Sequence, residues 1–202
     1  MDRKNLQAVL RMYVQGYFPL GLEHGIGWFD QRAYGTSRRA VMPLDDRFHI
    51  PRSLRRTLNA QRFEVRTNSD FAGVLEGCAT RGWSYQNETW ITPEVAQLYL
   101  ALHRYGFAHS FETWLDGELA GGILGVSLGA AFIGDTMFYR VSEASKVALV
   151  RLVEYLRQRN FELFDVQVQN PHLARFGAIE VDPLEFQHQL LQATQKPVAF
   201  VD

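Results

Sequence analysis

Apolar positions along the chain follow two periods. Val9, Leu10, Tyr13 and Val14 recur at helical spacing within Leu6 to Gln15, and Gly16 follows as a terminator. A longer helix is expected from Ser142 to about Arg159, where Val147, Leu149, Val150, Leu152, Val153 and Leu156 form a broad apolar face. Thr92-Pro93-Glu94 reads as a helix start (a capping hydroxyl, proline in the first turn, then an acid), and Gly106 suits its end. Ser69 or Asp70 can cap a helix through about Ala79, and Asp182-Pro183-Leu184-Glu185 has the spacing of a capping box. The other period belongs to strands. Ala108 to Leu115 and Leu119 to Ser127 flank Asp116-Gly117, a strong two-residue hairpin signal, and Leu163 to Gln169 alternates as a strand. Tyr17 to Pro43 holds four glycines and two prolines and reads as short strands and turns. This order predicts an α/β (α+β) chain, a mixed sheet flanked by helices. A small N-terminal lobe is expected over residues 1–43 and a larger domain over 44–202.

Composition narrows the class. The 202 residues are 47% hydrophobic and 21% charged, which fits a folded globular protein rather than a disordered one. The net charge of −1 lacks the basic excess usual for a long nucleic-acid footprint, so either no nucleic acid is bound or a short part of one is touched through a local patch. A single cysteine, Cys78, excludes a disulfide framework and a zinc cluster of cysteine pairs, and the six histidines show no metal-ligand spacing. The first residues are too polar for a signal peptide and no run reaches the length of a membrane span, so a cytoplasmic protein with no membrane partner is expected.

Four segments carry candidate chemistry. On a regular strand Asp165, Gln167 and Gln169 share one face, where a carboxylate beside an amide can orient an attacking amine; a polar face in plain water has the same pattern. Asp135, Met137 and Tyr139 share a face if Gly134 to Tyr139 is extended, pairing an acid with an apolar side chain. Arg52, Arg55 and Arg56 fall on one side of a helix and suit phosphates or solvent equally. The glycine-rich run Gly121 to Gly129 lacks the Gly-Lys-Ser/Thr ending of a P-loop, so its glycines are expected to admit a ligand close to the sheet. Arg32 to Ser37 nearly matches a coenzyme-A pyrophosphate loop, but it precedes the expected sheet and is rejected as one.

Taken together, Tyr13-Val-Gln-Gly-Tyr-Phe-Pro19, Glu76-Gly-Cys-Ala79, Thr89-Trp-Ile91, Leu102-His-Arg-Tyr-Gly-Phe-Ala-His-Ser-Phe-Glu-Thr-Trp114, Gly121-Gly122, Met137-Phe138, Ala144-Ser-Lys146 and Gly177-Ala178 resemble, in order, the blocks of the leucyl/phenylalanyl-tRNA–protein transferases. The resemblance implies an acetyltransferase-like (GNAT-type) domain that uses no coenzyme A and no other cofactor or metal. Its implied substrates are an aminoacyl-tRNA, held by its 3′ end, and a protein or peptide beginning with arginine or lysine. It places the catalytic pair on Asp165 and Gln167 and acceptor binding on Asp135. The aminoacyl pocket falls on Ile123, Met137, Leu149, Trp90 and Tyr99, and contacts to the tRNA 3′ end on Tyr13, Arg55 and Arg56. Action as a monomer is the accompanying expectation. The chain departs from the pattern at Leu20, where the family has tryptophan, in Trp28-Phe-Asp-Gln, and at Asp135, where it has glutamate. Those departures leave open a related transferase with another acceptor, and a non-catalytic binder of tRNA or of N-terminal degradation signals.

Overall fold

The computed structural model describes residues 1–80 and 89–201. Helix α1 (Arg3–Val14) begins three residues before the expected Leu6, where the Asp2 carboxylate caps it by accepting the Asn5 N–H at 2.8 Å. A hairpin of β1 (Phe18–Leu22) and β2 (Gly25–Phe29) follows, then a 3₁₀ turn at Gln31–Tyr34. The rest is β3 (Arg39–Val41), α2 (Arg52–Asn59), β4 (Glu64–Thr67), α3 (Phe71–Thr80), α4 (Pro93–Arg104), β5 (Ala108–Leu115), β6 (Glu118–Leu128), β7 (Ala131–Tyr139), α5 (Ala144–Gln158), β8 (Leu163–Gln167), α6 (Pro171–Ala174), β9 (Ile179–Val181) and α7 (Pro183–Thr194).

Seven strands form one sheet in the order β4-β5-β6-β7-β8-β3-β9, antiparallel except for the β7–β8 pair. The mixed α/β architecture expected from the sequence is thus present. β3, inside the first 43 residues, is a strand of this main sheet, whereas α1, the β1–β2 hairpin and the 3₁₀ turn of the same stretch stand outside it. The sheet is buried on both faces, as β6 shows: Ile123 and Leu124, successive and oppositely directed, enter different apolar clusters. One cluster holds α1, α3, α4 and α7 side chains; the other holds the apolar face of α5 with Leu54, Phe132, Phe164 and Phe200.

Local chemistry sets most boundaries. Asp116 and Gly117 both have positive φ (52° and 84°), as the tight β5–β6 turn requires. Thr92 caps α4 and Asp182 caps α7 with their side chains. Asp70 caps α3, its Oδ1 accepting the Gly73 N–H at 2.9 Å. α5 begins at Ala144, with Glu143 in left-handed conformation and no side-chain cap, so Ser142 does not open it. The glycines of β6 admit protein rather than ligand: a Cβ at Gly121 would meet the Ala144 Cβ at 2.9 Å, and one at Gly122 would meet Val74 at 3.1 Å. The expected ligand approach at that run is therefore corrected to close packing of α5 and α3 on the sheet.

Candidate active site

Two irregularities in the sheet create the site. In the β6–β7 ladder, Leu124 pairs with Thr136 and Gly125 with Gly134, so Asp135 is an extra residue on β7. β7 and β8 stay paired only through Ile133 and Asp165. Past that point β8 turns: the Val168 N–H bonds the Val166 carbonyl at 2.8 Å around Gln167, whose φ is +64°. A left-handed glutamine is uncommon and is held here by its surroundings. An apolar cavity opens between the departing strands. Phe18, Pro19, Leu20 and Tyr34 wall it from the hairpin side, Trp90 and Ile123 close it, and Gly134 to Met137 face Phe164, Val166 to Asn170, His172 and Leu173.

The turn at Gln167 overrides strand alternation. Val166, Gln167, Val168 and Gln169 all line the cavity, whereas Asp165 does not. Asp165 is 1% exposed and its carboxylate is gripped by Arg39, Nε donating to Oδ1 at 2.8 Å and Nη2 to Oδ2 at 2.6 Å. Asp165 Oδ1 also accepts the Gln167 backbone N–H at 2.9 Å, which pins the turn. The Gln167 side chain reaches across the gap, Nε2 donating to Asp135 Oδ1 at 2.7 Å. The expectation that Asp165 and Gln167 present their side chains together to substrate is corrected: Gln167 lines the cavity, and Asp165 lies behind it.

Asp135 is the one acid lining the cavity among the described residues. The residue is partly accessible, but its Oδ2 is out of solvent contact and has no well-directed hydrogen bond among the described residues. Burial pushes its carboxyl up to about 8; the Asp165 charge adds to the rise, while the Tyr99 hydroxyl, Arg39 and Gln167 pull the other way. Tyr99 lies behind it, accepting a hydrogen bond from the Tyr13 hydroxyl at 3.3 Å. Both phenols are held well above the ordinary tyrosine range by burial.

The other expected residues divide. Ile123, Met137 and Trp90 line the cavity, and Trp90 is fixed there by the Gly21 N–H donating to its carbonyl at 2.9 Å. Tyr99 is wholly buried, edge-on behind Trp90 at 6.2 Å between ring centroids, and supports the wall rather than forming it. Leu149 is 0% exposed inside the cluster around α5, so its assignment to the pocket is corrected to core packing. Leu149→Ala should cost about 2–5 kcal/mol by denaturant unfolding and leave the choice of aminoacyl group unchanged; an altered preference at intact stability would contradict that placement. Tyr13 is 1% exposed, edge-on to Trp28 at 5.6 Å, so it offers no face for an adenine to stack on. Cys78 is buried with its thiol pushed up to about 12 by desolvation, which removes it as a nucleophile.

Arg55 and Arg56 are exposed on α2 and share a shallow surface hollow with His49, Arg52 and Asn59. Leu54, 1% exposed, anchors that helix. A short path links the patch to the cavity: the His49 N–H donates to the Phe176 carbonyl at 2.8 Å, and the Phe176 ring lies edge-on to the cavity residue His172 at 5.3 Å. Arg39, Phe18, Tyr34 and His172 are among the site residues that sequence reasoning missed. The one local hint for Arg39 is a cation at the head of the short apolar run Ala40-Val41-Met42, a position that needs a buried partner.

The comparisons with known proteins agree in kind. The profile described as leucyl/phenylalanyl-tRNA protein transferase matches residues 41–191. Relatives named leucyl/phenylalanyl-tRNA–protein transferase match nearly end to end. The protein from Synechococcus sp. (strain JA-3-3Ab) is 53% identical over 198 residues, covering 97% of this chain and 98% of its own. That from Thermosynechococcus vestitus is 52% identical, covering 94% and 91%. That from Prosthecochloris aestuarii is 43% identical, covering 98% and 99%. With three quarters of its length matched by the profile and about half its residues shared with the cyanobacterial proteins, the chain belongs to the leucyl/phenylalanyl-tRNA–protein transferase family.

Proposed function

We propose that the protein moves leucine or phenylalanine, and methionine where it is offered, from aminoacyl-tRNA to the N-terminal arginine or lysine of a protein, marking that protein for degradation, and that it acts as a monomer. Family membership supports the transfer. The observation that carries the site assignment is Gln167 bonded to Asp135 in the wall of an apolar cavity. Ile123, Met137 and Trp90 suit an unbranched, γ-branched or aromatic side chain, and the flexible thioether of Met137 lets the slot accept more than one. Asp135 is the acid available to a positively charged acceptor residue.

The chemistry needs little beyond placement, because the tRNA ester is already activated. The acceptor α-amine, with a reference pKa of about 8, attacks the ester carbonyl. The bond from that carbonyl to the ribose oxygen breaks, and the proton lost by the amine ends on the released ribose hydroxyl. Gln167 has Nε2 committed to Asp135, so its Oε1 is the atom that accepts from the amine N–H. Asp165 is a positioning residue in this scheme, acting through the Gln167 backbone. Holding both substrates in line supplies much of the acceleration.

The direct test is transfer of labelled leucine or phenylalanine from tRNA to peptides differing only in their first residue. Labelling of arginine- and lysine-starting peptides, and none of glycine- or glutamate-starting ones, is expected; indifference to the first residue would remove the acceptor assignment. The arginine patch makes a second prediction. Arg55→Ala with Arg56→Ala should weaken tRNA binding and make log K against log salt shallower by about 1 to 2. An unchanged slope would show that the phosphates are held elsewhere.

A further inference from the structure

We infer that Arg39 is a positioning residue for the transfer reaction, the joint that fixes the hairpin wall of the cavity against the strand carrying Gln167. The inference rests on the function proposed above. Its side chain is 1% exposed, and its donors reach three separate segments. Nε and Nη2 hold both oxygens of Asp165 on β8, and Nη1 donates to the Gly16 carbonyl at 3.0 Å and to Gln31 Oε1 at 3.3 Å. Gly16 follows α1, two residues before Phe18, and Gln31 opens the 3₁₀ turn that carries Tyr34; Phe18 and Tyr34 both line the cavity. The cation also lies against the rings of Phe18, at 5.2 Å, and Phe186 on α7, at 4.7 Å.

One planar group therefore registers both walls. On one side it sets Asp165, whose Oδ1 pins the Gln167 N–H and so keeps that residue in its left-handed turn. On the other it sets Phe18 and the start of the hairpin. A lysine has one nitrogen at the end of a flexible stem and cannot hold a carboxylate in a fork while reaching the Gly16 carbonyl. A misplacement of about 1 Å at Gln167 is enough to cost a factor of about 100 in rate.

Three variants test this: Arg39→Lys, Arg39→Met, and Arg39→Met combined with Asp165→Asn, whose side-chain oxygen still accepts the Gln167 N–H. The measurements are the urea midpoint, kcat and KM for leucine transfer to an arginine-starting peptide, and the affinity for leucyl-tRNA. Arg39→Met alone should lose most of its stability because it strands a buried carboxylate, and the double variant should recover it because both charges are gone. The double variant should still show kcat lowered about 100-fold, and Arg39→Lys about tenfold or more, with tRNA affinity within about twofold of wild type. A merely structural arginine predicts that kcat returns with the midpoint. Wild-type kcat in the double variant, or in Arg39→Lys should the double variant fail to fold, would overturn the inference. A wild-type protein that transfers no leucine would instead overturn the proposed function.

Discussion

Gln167→Gly should leave the protein folded and within about 1 kcal/mol of wild-type stability, yet lower leucine transfer by about 100-fold or more. The two effects separate because Gln167 sits at φ +64°. Left-handed backbone costs a side-chain-bearing residue about 1–2 kcal/mol, and glycine removes that cost. Against it stand glycine's extra chain entropy, about 0.5–1 kcal/mol, and the lost hydrogen bond to Asp135, about 1 kcal/mol. These terms nearly cancel in stability. In transfer nothing cancels: Oε1 and the brace on Asp135 disappear together. Unfolding midpoints and single-turnover rates on the same preparation check both halves. A stable glycine variant with full activity would mean that the strained turn serves no part of the reaction.

Asp135→Asn should change how stability depends on pH and abolish the preference for basic acceptors. The Asp135 carboxyl titrates at about 8 in the folded protein and in the ordinary carboxylate range, near 4, when unfolded. Between those values the folded chain holds a proton that the unfolded chain has lost, so stability falls as pH rises. The slope approaches about 1.4 kcal/mol per pH unit and levels off above pH 8. Asparagine keeps an oxygen for the Gln167 amide and carries no charge, so its stability should be flatter over pH 5 to 8, with the variant ahead of wild type at pH 8. Binding shows the opposite trend. A basic acceptor residue binds the ionised carboxylate, so its KM should fall as pH rises toward 8 in the wild type and not in Asp135→Asn. The other groups facing Asp135 are Tyr99 on α4, Tyr13 behind it on α1, Cys78 on α3, Asp165 on β8 and Arg39 on β3. The tyrosines and the cysteine are all held above their ordinary ranges, so none of these three titrates alongside Asp135 near neutral pH. Parallel pH profiles of unfolding for the two proteins would contradict the assignment.

The elements that could be read from the chain were those whose chemistry is local. Thr92 before Pro93, Asp182 before Pro183 and Asp116-Gly117 each satisfy a backbone need within a few residues, and each stands where it was expected. The site was harder because it depends on exceptions. Strict alternation from Leu163 puts Asp165 and Gln167 on one face, and nothing in Leu-Phe-Asp-Val-Gln announces a left-handed residue. The extra residue at Asp135 is equally silent, since a bulge is defined by the partner strand and not by its own side chains. Leu149 shows a different limit: an apolar residue on an apolar helix face has one pattern whether it meets a ligand or the core. Arg39 and Asp165 are 126 residues apart, and a buried ion pair across that span leaves no periodic trace. Strand alternation nominated Asp165, Gln167 and Asp135, and resemblance to a family gave them roles; only the fold shows that two of them line the cavity and the third braces from behind.

We place the esterified amino acid in the apolar cavity with its carbonyl beside Gln167. A crystal structure with a puromycin-type phenylalanyl-adenosine analogue measures this directly. The phenyl ring is expected against Ile123, Met137 and Trp90, with the analogue's carbonyl beside Gln167 and Asp135 left open to an acceptor residue. An analogue bound with its phenyl ring outside that cavity, or with its carbonyl beyond the reach of Gln167, would contradict this placement.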